Sequence, residues 1–264
     1  MRLRISHRTE YSYDAPISYA LQRIRLVPLS GPTQSIVSWS LKVGGAHEEL
    51  RYYDCFGNDT RLTSVDGDPR IVSVEATGEV DTRDTAGVSG PHRGLSPLWL
   101  YQRPTPLTEP GAGLKALAAE VGEGPDLERL HRLMALVADR IAWEPDRTTA
   151  STTAEEALKL GAGVCQDHAH AFAGAARALG FPARYASGYL MKRGHVDQAA
   201  SHAWAEAHLT GLGWVGFDPS NRMSPDDSYV TVATGRDYRD AAPISGILLG
   251  QATEKLAVHI TVEQ

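Results

Sequence analysis

Cysteine is nearly absent from this chain. Its two cysteines, Cys55 and Cys165, lie far apart in unlike contexts, which argues against a disulfide framework and makes a reducing cytoplasm the expected compartment. A single Cys55–Cys165 bridge is the one exception to weigh, and it would abolish any thiol chemistry. Basic runs are lacking too. Lys and Arg number 26 against 32 Asp and Glu, for a net charge of −6 with the positive charges scattered, so no electrostatic footprint for nucleic acid is visible. No stretch reaches the roughly 20 apolar residues of a membrane helix. The opening MRLRISHRTEYSY alternates polar and apolar residues where a signal peptide would be continuously apolar. What is present is 264 residues, enough for one large core or two ordinary ones.

Period-two patterning fills the first third. Leu3, Ile5, Thr9, Tyr11 and Tyr13 share one face, with Arg2, Arg4, Arg8 and Glu10 on the other. Further strands are expected at 23–28, 36–43, 50–53, 60–65 and 71–80, separated by turn signals at Gly44-Gly45, Phe56-Gly57-Asn58-Asp59 and Asp66-Gly67-Asp68-Pro69. Short strands at this spacing predict an antiparallel sandwich or barrel. Cys55, beside one of these turns and with no histidine at motif distance, reads as a partly buried structural thiol. Residues 81–110 gather Pro91, Pro97, Pro104, Pro106 and Pro110 and read as the crossing between a β-rich domain of 1–105 and a second domain of 106–264.

In the second domain the period changes to that of a helix. Residues 114–121 form a short candidate, and 125–143 a clearer one through Leu127, Leu130, Leu133, Met134, Val137 and Ile141. Thr153-Ala-Glu-Glu156 fits a capping box that opens a helix ending near Gly161. The stretch GVCQDHAHAFAGAARALGFP then places Cys165 where the next, alanine-rich helix begins and stops it at Gly180 and Pro182. The first turn of a helix has unpaired N–H groups and the positive end of the dipole, which stabilises a thiolate relative to a thiol. Strands are expected at 183–190, 201–209 and 213–218. From Tyr229 the chain reads as loop and turn, closed by an alternating strand at 256–262.

The chemistry-bearing residues follow from the hairpin. If 201–209 and 214–218 pair about Thr210, His202 and Asp218, each eight positions from it, become cross-strand partners. A carboxylate beside an imidazole fixes its tautomer and favours its protonated form. Cysteine, histidine and aspartate then supply a nucleophile, its base and the group that orients the base. Gln166 and Trp204 are candidates for substrate or oxyanion contacts, and Trp214 for a cleft wall. His208 shares the strand face of His202, while His195 is expected to face solvent in the polar loop 192–201, a candidate rim over substrate.

GVCQDHAHAFAGAARALGFPARYASGYL, then SHAWAEAHLTGLGWVGFDPSN, with TTAEEAL before them and the N-terminal RLRISHRTEYSYDAPISYALQRIRLVPL, resembles the bacterial transglutaminase-like superfamily of cysteine-protease-like proteins across nearly the whole chain. The resemblance implies an α+β fold with a papain-like catalytic core, its Cys-bearing helix packed on an antiparallel sheet and preceded by a β-sandwich-like N-terminal domain. It implies Cys165 as nucleophile, His202 as general base and then acid, and Asp218 as orienter. Peptide or protein substrates carrying an amide or isopeptide bond are expected, without nucleic acid or membrane partners. Hydrolysis through a thioester is the leading expectation, with transfer to an amine as the alternative.

Three other readings are distinguishable. Asp167, His168 and His170 could mark a zinc hydrolase, but two histidines two apart on one helix diverge, where a helical pair of ligands needs three or four. No loop of alternating Asp suggests calcium, so no metal and no cofactor are expected. A non-catalytic peptide-binding module would show an unreactive Cys165. An arylamine acyltransferase would need a coenzyme phosphate site, of which there is no sign.

Overall fold

The computed structural model describes residues 1–264 apart from 16, 18, 66–68, 193, 195, 199 and 250–252. The turn expected at Asp66-Gly67-Asp68 and the expectation for His195 therefore lie outside the described residues.

Alternation in sequence becomes alternation in burial. Strand β1 (Arg2–Tyr13) buries Leu3, Ile5, His7 and Thr9 and exposes Arg2, Arg4 and Arg8. It is followed by β2 (Tyr19–Val27), β3 (Gln34–Gly44), β4 (His47–Tyr53), β5 (Asp59–Val65) and β6 (Ile71–Thr82). Two sheets form, and Ile24 and Leu26 of β2 pack against Val74 and Ala76 of β6 between them, so the expected sandwich is present. The last strands of the chain complete it. Counting β15 (Ile244–Leu249) and β16 (Glu254–Glu263), one sheet runs β15-β2-β5-β4, and the other contains β16-β1-β6-β3 in that order. Pairing of β1 with β16 is continuous from Arg4↔Glu263 to Tyr13↔Glu254. The chain after Tyr229 is thus more than loop and a final strand. It also holds β14 (Tyr229–Gly235), helix α5 (Tyr238–Ala241) and β15.

The second unit is built around α4 (Cys165–Ala178), buried at every position from Asp167 to Arg177. Its alanines let neighbours approach closely: a Cβ on Gly174 would stand 2.9 Å from the Thr108 carbonyl. Helices α1 (Ala112–Glu120), α2 (Asp126–Arg140) and α3 (Ala154–Leu160) pack around it. Helix α3 starts on the expected box: Glu156 N–H donates to Thr153 Oγ1 at 3.2 Å, and Thr153 N–H to Glu156 Oε2 at 2.8 Å. It ends at Gly161 with φ of 71°, a conformation that favours glycine. Helix α2 stops at Arg140, short of Trp143. Ile141 turns extended, and Ala142–Trp143, as β8, pairs in parallel with Ala162–Gly163, as β9. The buried Arg177 guanidinium donates to the carbonyls of Tyr101 and Ala183 and to Thr108 Oγ1, which pins the proline-rich crossing onto α4.

Against α4 lies an antiparallel sheet in the order β14-β10-β12-β13-β7, where β7 is Val88–Gly90, β10 Ala183–Leu190, β12 His202–Leu209 and β13 Gly213–Phe217. The short β11 (Asp197–Gln198) pairs with β16. Ala203, Ala205, Ala207 and Leu209 join the core that contains α4, which turns His202, Trp204 and Glu206 to the other face. At the sheet edge, two amide side chains from the N-terminal region stand in for a neighbouring strand. Gln34 donates to the Thr231 carbonyl and accepts from its N–H, both at 2.8 Å, and Asn58 does the same for Thr234 at 2.8 Å each. Residues from both sides of position 105 thus contribute to the sandwich and to the core sheet. Among the described residues, no helix is long and apolar enough to cross a membrane.

Candidate active site

Three strand termini meet at one end of the core sheet, beside the start of α4. Strand β12 opens with His202, β13 runs directly into Asp218, and β14 opens with Tyr229. Cys165 is the first residue of α4, partly exposed, and its N–H has no carbonyl of its own helix to meet. Asp167 holds that turn: its Oδ2 accepts from Val164 N–H at 2.8 Å and from Thr148 Oγ1 at 2.7 Å.

His202 and Asp218 meet, by a route different from the expected register. The hairpin pairs Leu209↔Gly213 through Ala205↔Phe217, which centres it on Gly211. Both Gly211 (φ 86°) and Gly213 (φ 82°) adopt left-handed conformations. Continuing that register puts Asp218 opposite Trp204, so its contact with His202 is diagonal, within reach for long side chains. His202 Nε2 lies 2.6 Å from Asp218 Oδ2. Cys165 also favours the charged form of the imidazole, and because Nε2 is committed to Asp218, Nδ1 is the nitrogen left to face a sulfur.

The carboxylate is fully buried and heavily coordinated. Besides His202, Oδ2 accepts from Asn221 Nδ2 at 2.7 Å and Tyr229 Oη at 2.8 Å. Oδ1 accepts from Ser220 Oγ at 2.6 Å and Asn221 N–H at 3.3 Å. Burial alone would raise its pKa, but the hydrogen bond and charge of His202, then Ser220 and Asn221, outweigh it and hold the carboxyl down to about 2. Burial alone would likewise discharge His202. The Asp218 hydrogen bond, then Cys165, reverse that and raise the imidazole to about 9, so it carries a proton at neutral pH.

Asn221 and Tyr229 are missing from the sequence reading. Asn221 had a signal, standing three residues after the aspartate in a DPSN turn. Tyr229 lies in the stretch read as loop, and nothing nearby marks it. The turn that carries Ser220 and Asn221 is closed by reciprocal backbone bonds between Asp218 and Met223, at 2.9 and 3.2 Å. It is tied to α2 by Arg222, which bonds to the Ala138 carbonyl at 3.0 Å and to Asp139 at 2.7 Å.

The remaining candidates distribute as follows. Trp204 is 1% exposed. It packs under the imidazole with ring centroids 6.2 Å apart and against Tyr229 at 5.4 Å, as a floor rather than an open wall. Its Nε1 has no acceptor among the described residues. Gln166 reaches the Ala150 carbonyl at 3.5 Å, the long limit of a hydrogen bond. Trp214 and His208 meet edge to face, with ring planes at 83°, at the far end of β12 from His202. Asp167, His168 and His170 have separate partners. The His168 nitrogens face the carbonyls of Val164 and Ile141 at 2.9 and 2.8 Å, and His170 Nε2 accepts from Tyr238 N–H at 3.0 Å. Burial, and then Arg177, push His170 down to about 3. Cys55, expected to be partly buried, is exposed, and both cysteines are free; position 55 falls in a turn outside the pleated strands.

Residues 115–219 match the model of the transglutaminase-like superfamily, and residues 3–81 that of the bacterial transglutaminase-like N-terminal region. An uncharacterized protein of Mycobacterium leprae is 28% identical over 275 residues, spanning 99% of this chain and 98% of its own. Another, from Mycobacterium tuberculosis H37Rv, is 29% identical over 295 residues, 99% of this chain and 92% of its own. The crystal structure of a "putative cysteine protease" from Cytophaga hutchinsonii has the same fold. Its TM-score is 0.78 at 24% identity, covering 100% of this chain and 90% of that one. Through its core and its N-terminal region alike, this chain belongs to the transglutaminase-like superfamily, in its bacterial form.

Proposed function

We propose that this protein is a thiol-dependent acyl-transfer enzyme that hydrolyses amide, peptide or isopeptide bonds in peptide or protein substrates. The observation that supports this best is the buried imidazole held by Asp218 Oδ2 at 2.6 Å and kept charged by Asp218 and Cys165. The Cys165 thiolate attacks the substrate carbonyl, and charge develops on its oxygen beside the start of α4. The Cys165 N–H is the first oxyanion donor. Gln166, loosely held by Ala150, is the side chain available as a second. As the tetrahedral intermediate collapses, the C–N bond breaks and imidazolium His202 gives its proton to the leaving amine, which leaves a thioester on Cys165. Now neutral, His202 takes a proton from water as that water attacks the thioester, and the carboxylic acid and the thiolate–imidazolium pair are released. Throughout, Asp218 remains ionised and aims the ring. Trp204 supports it from beneath. A cytoplasmic location belongs to the same proposal, because a reducing compartment keeps both free cysteines available.

Iodoacetamide labelling tests the assignment directly. In a Cys55→Ser background, which removes the exposed competitor, Cys165 is expected to label at pH 7 at least tenfold faster than in the same protein carrying His202→Ala. Equal rates would sink the nucleophile–base pair. If the rates differ, casein and glutamine-containing peptides, with and without a primary amine, then separate hydrolysis from amine transfer by their products.

A further inference from the structure

Away from Cys165, a cavity of about 340 Å³ lies where residues 29–34, 56–58 and 91–94 meet the edge of β14. Its volume falls at the lower end of the range for small-molecule sites. Much of its polar wall is already committed. Gln34 and Asn58 are spent on Thr231 and Thr234. Glu206 takes Ser89 Oγ on one oxygen at 2.6 Å and Arg184 on the other at 2.5 Å. The remaining capacity is cationic. Arg184 turns Nε and Nη2 to Glu206 and stacks 4.2 Å from the centre of the Trp214 indole, and its Nη1 has no partner among the described residues. Arg93, exposed at the rim, has no ion pair or hydrogen bond among those residues.

A buried ion pair does little for stability, because desolvation offsets its attraction. The side chain of Glu206 is 1% exposed and that of Arg184 14%. What the pair achieves is to fix a planar guanidinium in one orientation, with one edge unspent and a second free guanidinium at the same cavity. Such a fork matches a carboxylate in shape and charge. Beside them, a Cβ on Gly31 would meet nothing within 4 Å, so the rim is open there. The geometry points to a carboxylate-binding site in this cavity, with Arg184 as its fixed cation and Arg93 as the second. It takes a small organic acid or the C-terminal carboxylate of a peptide. Glu206 lies four residues along β12 from His202 on the same face, ~13 Å away at the rise of a strand. Buried Trp204 stands between them, so this site is separate from the thiol.

Isothermal titration of the full chain carrying Cys165→Ala, which removes turnover and leaves the cavity untouched, provides the test. Succinate, tetra-alanine with a free C-terminus and tetra-alanine amide are the probes. Binding of an acid and not of the amide is expected, and whichever acid binds names the source of the carboxylate. Arg93→Gln, at an exposed rim position, should weaken that binding about tenfold. Gly31→Leu, at a backbone conformation any residue adopts, should abolish it by filling the entrance. The inference is overturned if neither acid binds, if the amide binds as tightly as the acid, or if both variants leave the affinity unchanged.

Discussion

In the sandwich, Arg2 and Arg4 pair with Asp81 and Glu79 across strands β1 and β6, with both partners substantially exposed. In the core sheet, Asp218 and Glu206 are at most 1% exposed, and His202 is nearly as deep. The difference lies in what water can do. An exposed pair exchanges one set of solvent contacts for another and gains little. A buried carboxylate has no water to fall back on, so each oxygen must be met by the protein. Asp218 meets that demand with five hydrogen bonds from four residues. The outer face of β1 and β6 uses charge to stay wet, although the sandwich also buries one pair, Arg25 with Asp54. The core sheet uses charge to hold one imidazole in one orientation and one charge state.

Removing the buried carboxylate is the strongest way to break this contrast. Asp218→Ala leaves a buried imidazole ring without its counter-charge and Tyr229, Ser220 and Asn221 without an acceptor. A loss of about 3–5 kcal/mol in urea unfolding is expected, together with a fall in turnover of roughly 10²–10⁴-fold. Equal stability in that variant would mean that the core sheet treats charge as the outer face of β1 and β6 does.

The pH dependence is the next largest effect. His202 binds its proton more tightly in the folded chain than in the unfolded one, so its contribution to stability is complete below about pH 6.5 and is lost as the pH climbs toward about 9. Asp218 is the mirror case. Its contribution is complete above about pH 3.9 and is lost as the pH falls toward about 2. Thermal melts should therefore drop between pH 6.5 and 9 more in wild type than in His202→Ala. In Asp218→Asn, the alkaline limb of kcat/KM should move to lower pH.

Tyr229→Phe sharpens the comparison without removing the charge. One of three donors to Oδ2 is lost, and about 1–2 kcal/mol is expected in unfolding free energy, with a small change in kcat. At the other extreme, Arg2→Ala should produce no resolvable shift in melting temperature, because both partners are bathed in solvent.

How much of this was legible in the sequence follows the same division. Strands such as β1, with one face wet and one dry, write their period into the residues. The α3 capping box and its terminal Gly161 are equally local signals, and so is the cysteine at the start of α4. Strand β14 was not legible. YVTVATG is buried almost throughout, and its outer edge is satisfied by Gln34 and Asn58, nearly 200 residues away in sequence, so neither alternation nor turn chemistry announces it. The His202–Asp218 contact was found although the register was misplaced by two residues. Period-two geometry forgives an error of two, because both registers put the same side chains on the same face. The Arg184–Glu206 pair follows from the register of β10 against β12, and the exposure of Cys55 from how its turn packs, neither of which a short window of sequence contains.

Pairing of β1 with β16 joins a strand made early in translation to one made late. Arg4 and Glu263 are neighbours, so the sheet that β1 begins lacks β16 until residues 254–263 have been synthesised. Helix α4 and the sheet it packs on are largely translated before that. A fragment ending at residue 105 would therefore leave β1 and β2 each with a bare edge, which β16 and β15 cover in the fold described here.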